Sequence, residues 1–349
     1  MKALDANIRL VAWETTRSCN LACVHCRGAS LGTSYPDELD TIEGKRLLDE
    51  IASVGKPIII LTGGEPLVRP DIFELASYGA SKGLPMALAT NGVLITPEVA
   101  TKIKDSGVRR VSVSIDGSDA AHHDGFRGVS GAFAGALRGI ANLASQRIDF
   151  QLNTTITKRN IHQLENILDL AIELGAVAHH IFLLVPTGRG EDLAGEEINA
   201  EQYEETLEWF YERSLTYPIE LKATCAPHYF RVFHQRKDEN TKSSVSYALH
   251  AHSRGCLGGI AFCFVSHRGI AQPCGYFDRD CGNIRERGFR DVWENSEIFN
   301  ELRHLEMYKG KCGVCEFLRV CGGCRARALA KEGDYLAEEP LCSYQPRRK

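Results

Sequence analysis

Nothing in the 349-residue sequence approaches the run of about eighteen apolar residues that crosses a membrane, so no spanning helix is expected. The start, Met1 to Arg9, holds no basic stretch leading into an apolar one. No export signal is therefore expected, and the chain is placed in the cytoplasm. An excess of one charge is also lacking. Lys and Arg number 41 against 45 Asp and Glu, and a net charge of −4 gives no bulk attraction for nucleic acid. Cysteine is missing from the whole stretch between Arg27 and Thr224. A chain this large in a reducing compartment keeps its thiols free, which excludes a disulfide scaffold.

What is there is thirteen cysteines, three near the start and ten after residue 224. With 44% hydrophobic and 25% charged residues, the chain has room for one large domain and a smaller one. Metal is the leading use for so many reduced thiols. Cys19, Cys23 and Cys26 have C-x3-C-x2-C spacing. They follow the apolar run Leu10 to Trp13, which ends in Glu14, Thr15 and Thr16, so they belong on a loop at the C-terminal end of a strand. Three thiolates on one loop can hold three corners of an iron–sulfur cube and leave one iron without a protein ligand. An open metal position marks a working site rather than a structural one. A structural zinc loop, or buried thiols, are the alternatives.

Between the cysteine groups, short β-rich runs alternate with amphipathic runs. Strands are expected at 9–14, 57–62, 85–90, 110–115, 149–156 and 180–185. Helices are expected at 40–54, from Asp71 to near Gly83, and at 97–106, 131–146 and 160–174. Asp40 and Glu43 have the spacing of a capping box. Six strands with intervening helices predict a parallel α/β sheet curved into a partial barrel. In such folds function sits at the C-terminal strand ends. Polar or glycine-rich residues recur there. In Gly63–Gly64–Glu65–Pro66 the glycines let backbone approach a ligand, and Glu65 can pair with a cation. Thr90–Asn91–Gly92 reads as a turn first and a ligand contact second. Asn153 sits inside a strand, where an amide needs a buried partner. Leu184 to Gly190 offers apolar residues such as Val185 to line a ligand, and Arg189 to face substrate.

Ala200 to Tyr217 reads as a helix with Leu207, Phe210 and Tyr211 in the core. Cys225 and His228 are either a metal pair or simply packed. Lys237 to Ser246 is polar, without periodicity, and reads as a linker. Cys256, Cys263, Cys274 and Cys281 then precede Cys312-x2-Cys315-x5-Cys321-x2-Cys324 and Cys342. Four cysteines in thirteen residues form a strong metal pattern, with a four-thiolate zinc knuckle as the direct alternative.

The segment Cys19–Asn20–Leu21–Ala22–Cys23–Val24–His25–Cys26, with Thr62–Gly63–Gly64–Glu65–Pro66, resembles the radical S-adenosylmethionine (SAM) superfamily. The resemblance implies an open (β/α)6 barrel. It also implies a [4Fe–4S] cluster on Cys19, Cys23 and Cys26, with SAM chelating the fourth iron. Gly63, Gly64, Glu65 and Pro66 would receive the SAM amino group, with Asn91 and Asn153 as further contacts. Ser114 and Asp116 would lie near the ribose and carboxylate. Arg127 would reach that carboxylate, for which an arginine fork is suited; a surface ion pair is the alternative. His25 stands where the family usually has Tyr or Phe.

The cysteine-rich end resembles the SPASM extension of that superfamily and implies one or two auxiliary [4Fe–4S] clusters. Cys256, Cys263, Cys274 and Cys324 would hold one, with Cys281 as an alternative to Cys263. Cys312, Cys315, Cys321 and Cys342 would hold the other. Val265 to Cys274 would form a β-hairpin turning at Arg268–Gly269. The domains implied are a radical SAM core over 1–200, a bridging helix and linker over 201–249, and the SPASM unit over 250–349.

Val11 to Arg27, Cys321 to Ala328 and Gly333 to Pro340 together resemble the haem-biosynthesis branch, the iron-coproporphyrin III decarboxylases. That implies oxidative decarboxylation of two propionates to vinyls on an iron porphyrin substrate, with reduced flavodoxin or a ferredoxin-type protein as electron donor. An auxiliary cluster would accept the electron lost, because iron–sulfur potentials are tunable over about a volt. Arg17, Arg27, Arg189 and Arg231 are candidates for the propionates, and His25 or His228 for the porphyrin iron. No catalytic residue is assigned. The rivals are another tetrapyrrole-modifying radical SAM enzyme, a SPASM peptide maturase and a zinc-binding adaptor. The maturase commonly needs an N-terminal recognition domain, for which the nine residues before the first strand leave no room.

Overall fold

A computed structural model describes residues 4, 6–236 and 254–347. The expected linker at 237–246 lies outside the described residues. The apolar runs form parallel strands β1 (Leu10–Thr16), β2 (Ile58–Gly63), β3 (Met86–Thr90), β4 (Val108–Ser114), β5 (Phe150–Ile156) and β6 (Ala178–Leu183). Helices α1 (Thr41–Val54), α2 (Ile72–Ser81), α3 (Pro97–Asp105), α4 (Ala120–Arg127), α5 (Ala132–Ser145) and α6 (Leu164–Glu173) join them. The capping box at α1 forms: Asp40 accepts from the Glu43 N–H, and Glu43 accepts from the Asp40 N–H. Gly44 of α1 lies flat on β1, where a Cβ would stand 2.5 Å from the Trp13 ring. Trp13 is fully buried, and truncating a core tryptophan costs about 3–5 kcal/mol.

Three strands beyond the expected six complete the sheet. Its order is β7-β6-β5-β4-β3-β2-β1-β8-β9, open at both edges. Helix α7 (Ala200–Thr216) leads to β7 (Glu220–Thr224), which pairs in parallel with β6, and then to α8 (His228–Arg236). On the other side β8 (Phe262–Val265) lies parallel to β1, and β9 (Ala271–Gln272) folds back antiparallel through the Arg268–Gly269 turn. The hairpin therefore continues the barrel sheet. Helix Phe289–Asn295 and its neighbours rest on α1, where Arg285 forks onto Glu43 at 2.7 and 2.8 Å. No helix among the described residues is long and apolar enough to cross a membrane.

Candidate functional site

The cysteine loop leaves β1 at Thr16 and is gripped from two sides. A Cβ on Gly63 would collide with the Thr16 carbonyl, and one on Gly64 with the carbonyls of Arg17 and Ser18. The N–H groups of Gly64 and Glu65 donate to the Thr16 and Ser18 carbonyls, each at 2.8 Å. The close approach these glycines permit is thus to the loop itself. Across from them, Gly188 abuts the Cys26 and Arg27 carbonyls. Arg189 donates Nε to Cys23 O and Nη1 to Ser30 O, both at 2.9 Å, and its N–H to Cys26 O at 3.0 Å. Arg189, expected to face substrate, is instead a brace for the loop. Donors also reach the sulfurs. The N–H groups of Leu21 and Ser30 lie 3.4 Å from the Sγ atoms of Cys19 and Cys26, and Arg127 Nη1 lies 3.7 Å from that of Cys23. Such donors stabilise thiolate and tune a cluster's potential.

Arg127 is buried, so the surface ion pair is excluded. Its Nη2 lies 2.6 Å from Asp116 Oδ2, while Asp116 Oδ1 accepts from the Thr155 N–H at 2.8 Å. Burial works against the Asp116 charge, but Arg127 and His25 outweigh it and hold the carboxyl below its ordinary range. His25 Nε2 stands 3.7 Å from the same carboxylate, and its ring packs edge-on against Phe126 at 5.2 Å. Burial depresses His25 to about 4, so it is neutral at pH 7. Three buried atoms beside this loop, Arg17 Nε, Arg127 Nε and His25 Nδ1, have no hydrogen-bond partner among the described residues. Unpaired buried donors are costly and point to a polar ligand.

Other expected contacts are placed differently. The Glu65 carboxylate is fully buried and takes Thr90 Oγ1 (2.7 Å), Asn91 N–H (2.8 Å) and Leu67 N–H (3.1 Å). It ties β2 to β3, and burial raises it to about 6. Pro66 opens the short helical turn after Glu65. Asn91 donates to Asn20 Oδ1 in the cysteine loop at 2.7 Å. Ser114 and Asn153 face one another across β4 and β5, and Gln151 supplies the amide partner for Asn153 Oδ1. Val185 is buried with Phe277, Cys324, Ala326 and Leu329, and its carbonyl and that of His25 in the first loop both stand 3.6 Å from where a Cβ on Gly190 would be.

Glu14, fully buried at the end of β1, joins the loop to the C-terminal unit. It pairs with Arg27 (3.4 Å), Arg17 (3.2 Å) and His267 Nδ1 (2.7 Å). Arg27 also stacks over Phe264 at 4.4 Å. Arg231 pairs with Glu204 and donates to Gln235 at 2.6 Å, remote from the first loop's partners.

The later cysteines gather in two groups. Cys312, Cys315, Cys321 and Cys342 line a small, partly open cavity, with His228, Arg231 and Glu339 on its wall. Both His228 ring nitrogens are buried there without a hydrogen-bond partner among the described residues. Cys256, Cys274 and Cys324 form the other group, each an electrostatic neighbour of the rest. Cys263 stands apart: it is fully buried on β8, and its thiol neighbour is Cys281. Among the described residues no three Cys, His, Asp or Glu side chains converge tightly enough for a single metal ion.

Comparison with known proteins decides the kinship. The model of the radical SAM superfamily matches residues 13–171, and that of an iron–sulfur cluster-binding domain, SPASM, matches 256–324. The AdoMet-dependent heme synthase of Nitratidesulfovibrio vulgaris is 54% identical over 97% of this chain and 93% of its own length. That of Methanosarcina barkeri is 54% identical over 100% of both chains. The chain belongs to the radical SAM–SPASM family. Among solved structures, SuiB of Streptococcus suis bound to S-adenosylmethionine superposes with a TM-score of 0.76 at 17% identity, covering 97% of this chain and 78% of that one.

In this radical SAM–SPASM enzyme the sequence left several working residues unread. Arg327 is fully buried and contacts Glu197 and Glu339, each at 3.2 Å, and the Leu184 carbonyl at 3.0 Å. It locks the barrel to the SPASM unit. Glu339 also accepts from the Cys324 N–H at 2.6 Å. Tyr276 has Cys225, Arg27, Cys274 and Cys26 as neighbours, between the first loop and the later thiols. Arg327 and Glu339 fall in segments that carry the resemblance, but an isolated Arg, Glu or Tyr has no spacing signature that gives it a role.

Proposed function

We propose that the chain is an AdoMet-dependent haem synthase that converts two propionates of Fe-coproporphyrin III to vinyls, giving haem b. Identity of 54% along essentially the whole chain to proteins of that name, in two organisms, carries this reading. Cys19, Cys23 and Cys26 hold the first [4Fe–4S] cluster; Cys312, Cys315, Cys321 and Cys342 hold an auxiliary one, and Cys256, Cys274 and Cys324 contribute to another. When bound, the first cluster and SAM supply a 5′-deoxyadenosyl radical, and an auxiliary cluster supplies an electron acceptor.

Each propionate loses a hydrogen atom from its β-carbon, carbon dioxide and one electron, and a vinyl remains. The chain's own residues position and shield. Arg189 and the Gly63–Gly64 turn fix the loop, while the free Nε atoms of Arg127 and Arg17 offer charge to carboxylates. Arg17 keeps about a third of its side chain exposed (32%), the best placed of the four arginines to meet a propionate.

The test is anaerobic incubation of the reconstituted full chain with SAM, a low-potential reductant and Fe-coproporphyrin III, followed by mass analysis of the porphyrin. Two successive losses of the mass of carbon dioxide plus two hydrogens are expected. SAM cleavage without any vinyl product would overturn the haem reading and leave the radical one standing.

A further inference from the structure

Cys225 is assigned to nothing above. It follows β7 directly, at a C-terminal strand end of the same sheet that carries the first cysteine loop. Its thiol neighbours are Cys324, Cys274 and Cys256. With Cys274 it packs on the buried group of Val185, Phe277 and Cys324. The four come from separate segments: a strand end, the residue after Gly255, the end of the β-hairpin, and the residue before helix Arg325–Glu332.

The backbone supports the same grouping. Cys225 has φ +56°, one of three positive values outside glycine among the described residues. A left-handed conformation at such a residue costs about 1–2 kcal/mol and persists only when its surroundings impose it. Here they do: Tyr203 Oη (3.0 Å) and Arg327 Nη2 (3.3 Å) both donate to the Cys225 carbonyl. Arg327 is itself pinned by Glu197 and Glu339. The interlock that joins the two domains thus also fixes this one turn.

Cys263, the fourth ligand implied by resemblance, has no such company. It sits opposite Val11 in the β1–β8 ladder, wholly buried in the main apolar core, beside Cys281.

We propose that Cys225, rather than Cys263, is the fourth ligand of the first auxiliary cluster, with Cys256, Cys274 and Cys324. The proposal rests on the radical SAM–SPASM reading. Four thiolates leave no iron open, so this cluster would not ligate substrate. It would act by accepting an electron, and Tyr276 has both Cys225 and Cys274 of this group and Cys26 of the first loop as electrostatic neighbours.

The test uses full-length chain, anaerobically reconstituted, as wild type and as Cys225→Ala, Cys225→Ser and Cys263→Ala. Iron and sulfide are counted, and the oxidised and reduced forms are examined by electron paramagnetic resonance. Loss of about four irons per chain, or a three-iron signal on oxidation, is expected for both Cys225 variants. Cys263→Ala should keep the wild-type count. Far-UV circular dichroism and the reduced first-loop cluster signal confirm that each variant is folded. Because Ser preserves the volume of the site, Cys225→Ser separates a lost ligand from lost packing. Full iron and unchanged spectra in folded Cys225 variants would overturn the assignment, as would selective loss in Cys263→Ala. Wild-type chain with iron at the first loop alone would overturn the auxiliary-cluster reading as well, which distinguishes the two failures.

Discussion

Exchanging Glu14 for Gln is expected to weaken the joint between the radical loop and the SPASM hairpin by about 3 kcal/mol. Glu14 is fully buried, and Arg27, Arg17 and His267 converge on its two oxygens. Burial alone would raise its pKa. Arg27, the His267 hydrogen bond and Arg17 outweigh burial, and the value falls from 4.5 to about 2. That displacement corresponds to about 3 kcal/mol of stability at neutral pH. The folded value lies below the unfolded one. The contribution is therefore complete above about pH 4.5 and disappears as pH falls through about 2. An amide keeps the shape but leaves Arg27 and Arg17 facing a neutral group. Urea unfolding of the cluster-free full chain, followed by circular dichroism, should show the deficit undiminished between pH 7 and 5 and shrinking below. A deficit under about 0.5 kcal/mol at pH 7, or one that grows as the solution is acidified, would refute the reasoning.

Arg189→Ala removes two charged hydrogen bonds to the backbone of the cysteine loop, worth about 1.5–3 kcal/mol each. SAM cleavage should fall at least about tenfold, while auxiliary iron, read by Mössbauer spectroscopy, stays at the wild-type level. Asp116→Asn strands the Arg127 charge in a buried site and should cost about 3–5 kcal/mol in urea unfolding; a change below 1 kcal/mol would show that Arg127 does not depend on it.

Much of the barrel was legible because its parallel strands leave short apolar runs such as Ile58–Leu61, in which Ile59 and Leu61 are buried and Ile58 is exposed, and because Asp40 and Glu43 mark a helix start by local chemistry. Residues whose roles depend on distant partners were not legible. A polar residue after a strand can meet ligand or neighbouring backbone; Arg189 and Glu65 do the second, and their sequence looks the same either way. Helix α4 was missed because Ala120–Arg127 is short and starts with two histidines among its first four residues. The hairpin of β8 and β9 was expected, but its pairing with β1 was not, because β8 finds that partner some 250 positions upstream, beyond the reach of any local pattern. The Arg327 interlock has the same origin, since it joins residues 183–225 to residue 339 through a single guanidinium.

The pairing of β8 with β1 has a consequence for anyone who would cut the protein in two. Leu10 to Trp13 find their outer neighbours among the described residues in Ala261 to Val265. A barrel expressed without its final third would bare one flank of its first strand, an apolar ribbon with unsatisfied amides and carbonyls. Such a flank recruits strands from other molecules. The truncated half should precipitate rather than serve as a minimal catalyst, and the SPASM unit doubles as the seal on that margin.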